Sequence, residues 1–176
     1  MSRVALAAVV VVVVVSPAAT ETGGASVEPT AFQRPARPDD HYAGPSRWQV
    51  SDSRLVARAT VRRPSGSSAA RLYLVRRTDG VLCIALRDRG TAASCTTPSV
   101  FAKGISLSGR LLVGVVPNHV MRLVVVGTRG VRHSVKPTRD KGFIWDCRAW
   151  NGCAGAVAAV EAYNDAGRLL YRIPWS

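Results

Sequence analysis

From Arg71 onward the chain is written in short β-forming runs separated by turns, and this pattern limits the fold more than any other feature. Leu72 to Arg77 and Val81 to Leu86 flank Thr78-Asp79-Gly80, and an Asp-Gly step between apolar runs is a strong hairpin signal because tight hairpin turns need positive φ. Leu111 to Val116 and Val120 to Val126 are split by Pro117-Asn118-His119. The second run continues through Gly127-Thr128-Arg129-Gly130 into Val131 to Lys136. There Val131, His133 and Val135 share one face, and Arg132, Ser134 and Lys136 the other. A last hairpin joins Val157 to Tyr163 with Arg168 to Ile173 around Asn164-Asp165-Ala166-Gly167. Ala154 to Ala162 is helical by propensity, but the turn and the Leu169, Tyr171, Ile173 alternation predict a strand.

The fold expected is mainly β, an antiparallel meander forming a sandwich or half-open barrel. One or two short helices and a disordered N-terminal segment complete it. The hairpin units begin at uneven intervals, which excludes a propeller or solenoid. One helix is predicted over about 52–62, with Asp52 as N-cap, Leu55, Val56 and Ala59 on one side, and Pro64-Ser65-Gly66 as the stop. A second is predicted over Thr97 to Lys103, with Thr97 capping and Pro98 at the first helical position.

Ahead of this domain the valine run Val9 to Val15 follows Arg3 and ends at Ser16-Pro17-Ala18-Ala19. A basic start, an apolar stretch and a small-residue exit describe a cleavable signal peptide over residues 1–18. Val4 to Val15 falls short of the roughly 20 residues a spanning helix needs; an uncleaved N-terminal anchor is the alternative. No cysteine follows the run and one arginine is not a twin-arginine signal, so lipid modification and that export route are excluded. Residues 19–45 hold Pro29, Pro35, Pro38, Pro45 and Gly23-Gly24 with little aliphatic periodicity, and are expected to be a flexible linker. Residues 46–176 then form a single β-rich domain, its sheet starting at about 71.

Export decides how cysteines and charge are read. Cys83, Cys95, Cys147 and Cys153 predict two disulfides, and of the three possible connectivities the local one, Cys83 with Cys95 and Cys147 with Cys153, is favoured. Neither spacing is that of a structural zinc site and His41, His119 and His133 are scattered, so no metal or other cofactor is expected. The formal net charge is +13, and 24 lysines and arginines face 11 acids. Outside a cell such a balance favours anionic wall polymer or lipid headgroups. Nucleic acid is not an expected partner, since no zinc-finger, helix-turn-helix or RNA-binding consensus accompanies the charge. On the predicted helix Arg54, Arg58 and Arg62 fall on one face, as a solvated stripe or a polyanion contact.

Catalytic chemistry finds little support. No serine lies in Gly-x-Ser-x-Gly, His119 sits in a turn, His133 falls on an apolar strand face, and no close carboxylate pair suggests glycoside hydrolysis. Trp145 and Trp150 bracket Cys147, and Trp150 is either an aromatic contact for a ligand or a cover for the sheet end.

Leu72-Tyr73-Leu74-Val75 with Asp79-Gly80 and Cys83, Ala93-Ser94-Cys95, Val116-Pro117-Asn118-His119-Val120, Gly130, Lys141-Gly142-Phe143 and Asn164-Asp165-Ala166-Gly167-Arg168 are carried by the β part. In these residues the stretch 72–173 resembles small exported β-rich proteins of high-GC Gram-positive bacteria that have no agreed function. Asn118 and His119 stand where such proteins more usually have Asp-Gly. The resemblance implies a Cys83 to Cys95 disulfide, leaves Cys147 to Cys153, and implies no catalytic residue. The function expected is that of an exported non-enzymatic β-domain at the cell envelope, secreted or envelope-associated, binding a polyanion through a basic surface. The alternative is a secreted protein-binding or hydrolase-inhibitor module using disulfide-pinned loops.

Overall fold

The computed structural model describes residues 28–45, 48–96, 105–108, 110–150, 153 and 155–175. The predicted signal peptide, the start of the predicted linker and the helix predicted over Thr97 to Lys103 lie outside them. Eleven strands are described: β1 Val50–Arg63, β2 Gly66–Arg77, β3 Leu82–Asp88, β4 Gly90–Thr96, β5 Ile105–Ser108, β6 Leu111–Val115, β7 Arg122–Gly127, β8 Arg132–Val135, β9 Gly142–Asp146, β10 Val157–Tyr163 and β11 Leu169–Pro174. They form three antiparallel sheets. The front sheet runs β1-β2-β3-β4, the middle β5-β6-β9 and the back β11-β10-β7-β8.

The middle sheet explains the layering. β6 is buried along its whole length, as a strand covered on both faces must be, and its sequence Leu-Leu-Val-Gly-Val has no polar alternation. Leu111, Val113 and Val115 pack with Leu72, Leu74, Ile84 and Leu86 of the front sheet. Leu112, one step along, packs with Phe143, Leu123, Val125 and Val160 of the middle and back sheets. The molecule is therefore a three-layer β sandwich. Each such fully buried aliphatic side chain contributes about 1.5–3 kcal/mol of burial.

Three predicted hairpins are present: β2–β3 around Asp79-Gly80, β7–β8 around Thr128-Arg129-Gly130 and β10–β11 around Asn164 to Gly167. Gly80, Gly130 and Gly167 all have positive φ, as the turn chemistry requires. The alanine-rich run is strand β10, held between β7 and β11.

The helix predicted over about 52–62 is instead the core of β1. Val50 to Arg63 pairs with β2 nearly throughout its length, and Pro64-Ser65 is the hairpin turn where a helix stop was expected. Long-range pairing overrides the local helical spacing. The apolar pattern misled because β1 is bulged: Leu55 lies opposite Tyr73 but Ala57 opposite Leu72, so Val56 is an extra residue. Val56 and Ala57 both enter the front core. The sheet accordingly begins at 50, not 71.

The described part of the predicted linker, residues 28–45, is also not free. It forms two 3₁₀ turns, Thr30–Gln33 and Pro38–Asp40, and wraps the β1 edge. Ala31 and Phe32 join the front core, while Tyr42 lies over the outer side of the same sheet against Tyr73 and Trp48, ring centroids 5.2 and 5.7 Å away. Composition underestimated this strap because its anchors are an ion-pair clamp and a few aromatic rings, with no aliphatic periodicity. Arg34 donates from Nη1 and Nη2 to Asp40 at 2.7 and 2.8 Å and from Nε to Asp140 at 2.8 Å. Asp40 also accepts the backbone N–H groups of Arg37 and Leu55 at 2.6 and 2.8 Å.

The cysteines pair locally, Cys83 with Cys95 and Cys147 with Cys153. The first pair joins residues directly opposite on β3 and β4; the second closes the 3₁₀ turn Cys147–Trp150 after β9.

Candidate functional site

The outer side of the front sheet has two halves. One is covered by Tyr42 and Trp48 over Tyr73, Val75, Cys83 and Ala85. The other is open. There the ladder places Arg58 opposite Arg71, Arg71 opposite Arg87 and Arg87 opposite Thr91, one residue from each of β1, β2, β3 and β4. All four are exposed. Neighbouring strands lie about 4.8 Å apart, so three guanidinium-bearing residues stand in single file across the sheet. Like charges directly opposite in a ladder oppose folding by about 0.2–1 kcal/mol per pair. The row is thus a stability cost that no packing requirement imposes.

Nothing nearby neutralises most of it. Arg58 pairs with the exposed Asp39, but among the described residues neither Arg71 nor Arg87 has an ion-pair partner. Acids are committed elsewhere: among the described residues every Asp and Glu except Asp165 is paired with an arginine. At the covered end of the row the Tyr42 hydroxyl reaches towards Thr91 and Arg87 without a hydrogen bond of ordinary geometry. Burial pushes its phenol above the usual tyrosine range.

Of the arginines predicted as a stripe, the structure keeps two together. Arg58 and Arg62 share the outer face with Thr60 between them. Arg54 does not. In an unbroken strand residues 54, 58 and 62 would align, but the extra residue Val56 turns Arg54 to the inner side. It is buried there at 7% exposure, paired with Asp52, and its guanidinium lies 5.6 Å from the Phe32 ring centre. Arg71 and Arg87 take its place in the row. Sequence reading missed them because they stand at the ends of apolar runs and only the strand register brings them beside Arg58.

Beyond Arg58, at the β1 edge, the row opens into a cleft of about 290 Å³ whose rim carries Arg37, Asp39, Arg58 and Arg139, with Thr138 on its wall. Arg34 and its two carboxylates hold the walls together. Burial alone would raise the Asp40 carboxyl, but the Arg34 guanidinium and the two backbone N–H groups outweigh it and hold it well below the usual carboxylate range. Thr138 donates to the Val56 carbonyl at 2.6 Å, fixing the loop that carries Arg139 to the bulge. Cleft rim and row form one basic track: Arg139, Arg37, Arg58, Arg71, Arg87.

Other predicted residues lie apart from this track. Trp150 is half-buried, edge-on to Trp145 at 4.9 Å and packed over Gly127, where an added Cβ would come within 3.2 Å of its ring. It packs against the back core. His133 is exposed, not buried, and stacks on Trp145 at 5.0 Å. His119 is exposed in the turn after β6. No group of three or more His, Cys, Asp or Glu suited to a metal ion occurs among the described residues, and no described helix is long and apolar enough to cross a membrane. The Cys83–Cys95 segment is a regular hairpin whose tip is the single residue Arg89 at φ 49°. No protein-family model, curated protein or solved structure matches the chain.

Proposed function

We propose that the chain is an exported, non-enzymatic β-domain that holds a linear anionic polymer of the cell envelope along the arginine track of its front sheet. The observation that carries the reading is the direct cross-strand line Arg58–Arg71–Arg87, like charges placed side by side with two of the three lacking any described counter-ion. A bound chain of phosphates or acidic sugars would relieve that repulsion by supplying the missing anions. The shape favours a chain over a bilayer. The row is one residue wide, and among the described residues none of the exposed large apolar ones, Met121, Val131 and Leu169, belongs to the front sheet, whereas peripheral membrane contacts combine basic with inserted apolar side chains. Two disulfides fit an oxidising compartment, and the valine run supplies the signal for reaching one.

The test is retention of the purified protein on immobilised polyphosphate and on isolated envelopes across a salt series. Five phosphate contacts, one for each arginine of the track, predict that log affinity falls against log salt with a slope of about −3.5, taking about −0.7 per contact. Arg71→Gln with Arg87→Gln should weaken binding at low salt about tenfold or more. Unchanged binding by that double variant, or none by the parent at low salt, overturns the reading.

A further inference from the structure

The outer side of the back sheet is a second basic surface, built on a different plan. Register sets it out as a grid. Pro174, Ala159, Val126 and Arg132 lie side by side; beside them come Arg172, Glu161, Val124 and Ser134; then Tyr163 faces Arg122. The next step of the same register brings Arg122 against Lys136, which is exposed. With strands about 4.8 Å apart and successive outward residues about 6.8 Å apart, the grid is about 14 Å on a side.

One carboxylate organises it. Glu161 lies at 6% exposure in the middle of this sheet face, beside the buried Val124, Val126 and Ala159. Its Oε2 accepts the Tyr163 hydroxyl at 2.6 Å and the Arg132 guanidinium, while Arg172 Nε stands 3.9 Å from Oε1. Drawn to Glu161, the Arg132 side chain crosses the strand between them and shields Val124 and Val126, which are only 6% and 8% exposed. Arg122 lies over the Tyr163 ring at 4.6 Å. Four cations thus surround a single acid, and two of them, Arg122 and Lys136, have no described ion-pair partner. The hydrogen bond from Tyr163, ahead of the Arg132 contact, keeps Glu161 ionised despite its burial. The anion that locks the arginines in place is therefore present at neutral pH, and positive charge remains in excess.

Front and back sheets enclose the middle sheet, so their outer faces point in opposite directions with about 20 Å of layered backbone between them. We infer that the back-sheet face is a second anion-binding surface, centred on Arg122, Arg132 and Arg172, and that the domain bridges two anionic polymer chains. This rests on the front-sheet reading above and adds valence to it. With a site on each side, one molecule links two chains and many molecules link a network.

Two measurements on the intact mature chain separate the claims. The stoichiometry of short-chain polyphosphate binding counts the occupied faces, two per parent molecule, and light scattering on titration into long-chain polyphosphate reports bridging. The parent should bind the short chain and give a scattering maximum that disappears at excess protein, as each chain becomes saturated. Arg122→Gln with Arg172→Gln should reduce the short chains bound from two to one per molecule and lower maximal scattering about fivefold or more. Arg129→Gln with Arg168→Gln removes the same charge from the hairpin turns and should scatter like the parent. Equal loss in both double variants would mean bulk charge neutralisation and overturn bridging, as would parental scattering by the Arg122/Arg172 variant or saturation of the parent without scattering. Failure of the parent to bind the short chain would overturn the front-track reading as well. Clustering of phosphatidylglycerol vesicles without any response to polyphosphate would replace the polymer by a lipid surface.

Discussion

Arg71 and Arg87 stand directly opposite each other on β2 and β3, both exposed, with Arg58 completing the line on β1. Removing the central charge separates stability from binding. Arg71→Gln should leave the unfolding free energy unchanged or raise it by about 0.5 kcal/mol, because two repulsive cross-strand pairs are relieved. The same substitution should weaken polyphosphate binding. Urea unfolding and the binding series, run on one preparation, check both, and a clear loss of stability would show that Arg71 has a packing role.

Asp40 ties the strap to the sheet, and its carboxyl is held below the ordinary range chiefly by Arg34 once burial has been overcome. A carboxylate depressed in the folded state stabilises fully above its unfolded pKa of about 4, and the contribution fades as pH falls from there towards the folded value. Asp40→Asn should cost about 2–4 kcal/mol at neutral pH, since it leaves the Arg34 charge poorly matched. Its stability should also fall less steeply than the parent's on acidification below pH about 4. Thermal unfolding from pH 7 down to pH 2 measures both.

Gly142 is required by a close approach. An added Cβ would lie 2.7 Å from the backbone carbonyl carbon, Cβ and Cγ2 of Val56, and backbone at the bulge cannot step aside as a flexible side chain could. Gly142→Ala should destabilise by about 1–3 kcal/mol, whereas Gly90→Ala, whose nearest neighbour is 3.9 Å away, should have a much smaller effect. Paired denaturation curves decide it.

Each disulfide closes a short loop, with sequence separations of 12 and 6. On the loop-entropy model their removal costs about 3 and about 2 kcal/mol. Peptide mapping under non-reducing conditions should recover both local pairs and no crossed ones. Unfolding of Cys83→Ala/Cys95→Ala and Cys147→Ala/Cys153→Ala variants should show the first pair as the larger contributor.

Much of the β architecture is legible in the chain. Asp79-Gly80, Gly130 and Gly167 mark turns whose chemistry is local, and the unbroken apolar character of Leu111 to Val116 already describes a strand covered on both sides. What is not legible depends on pairing. The segment 52–62 has apolar residues that suit either a helix or a bulged strand, and only its partner β2 decides between them. The strap escaped notice because Arg34 finds Asp140 more than a hundred residues away. The site shows the same division: Arg58 and Arg62 were visible as a stripe, but Arg71 and Arg87 join them through register alone.

The extra residue in β1 gives that strand an unusual evolutionary latitude. Substitutions along it change one side chain at a time, and deletion at Val56 would simply leave Leu55 opposite Tyr73 and Ala57 opposite Leu72 as consecutive pairs of a regular ladder. Arg58 and Arg62 would keep the outer face and Val61 the core, whereas deletion of Ala59 would turn Arg62 inward and Val61 outward. The strand can therefore lose its extra residue without turning its arginines over, and an aligned relative with one residue fewer between Arg54 and Arg58 would be expected to present the same outer face without the front-core contribution of Val56.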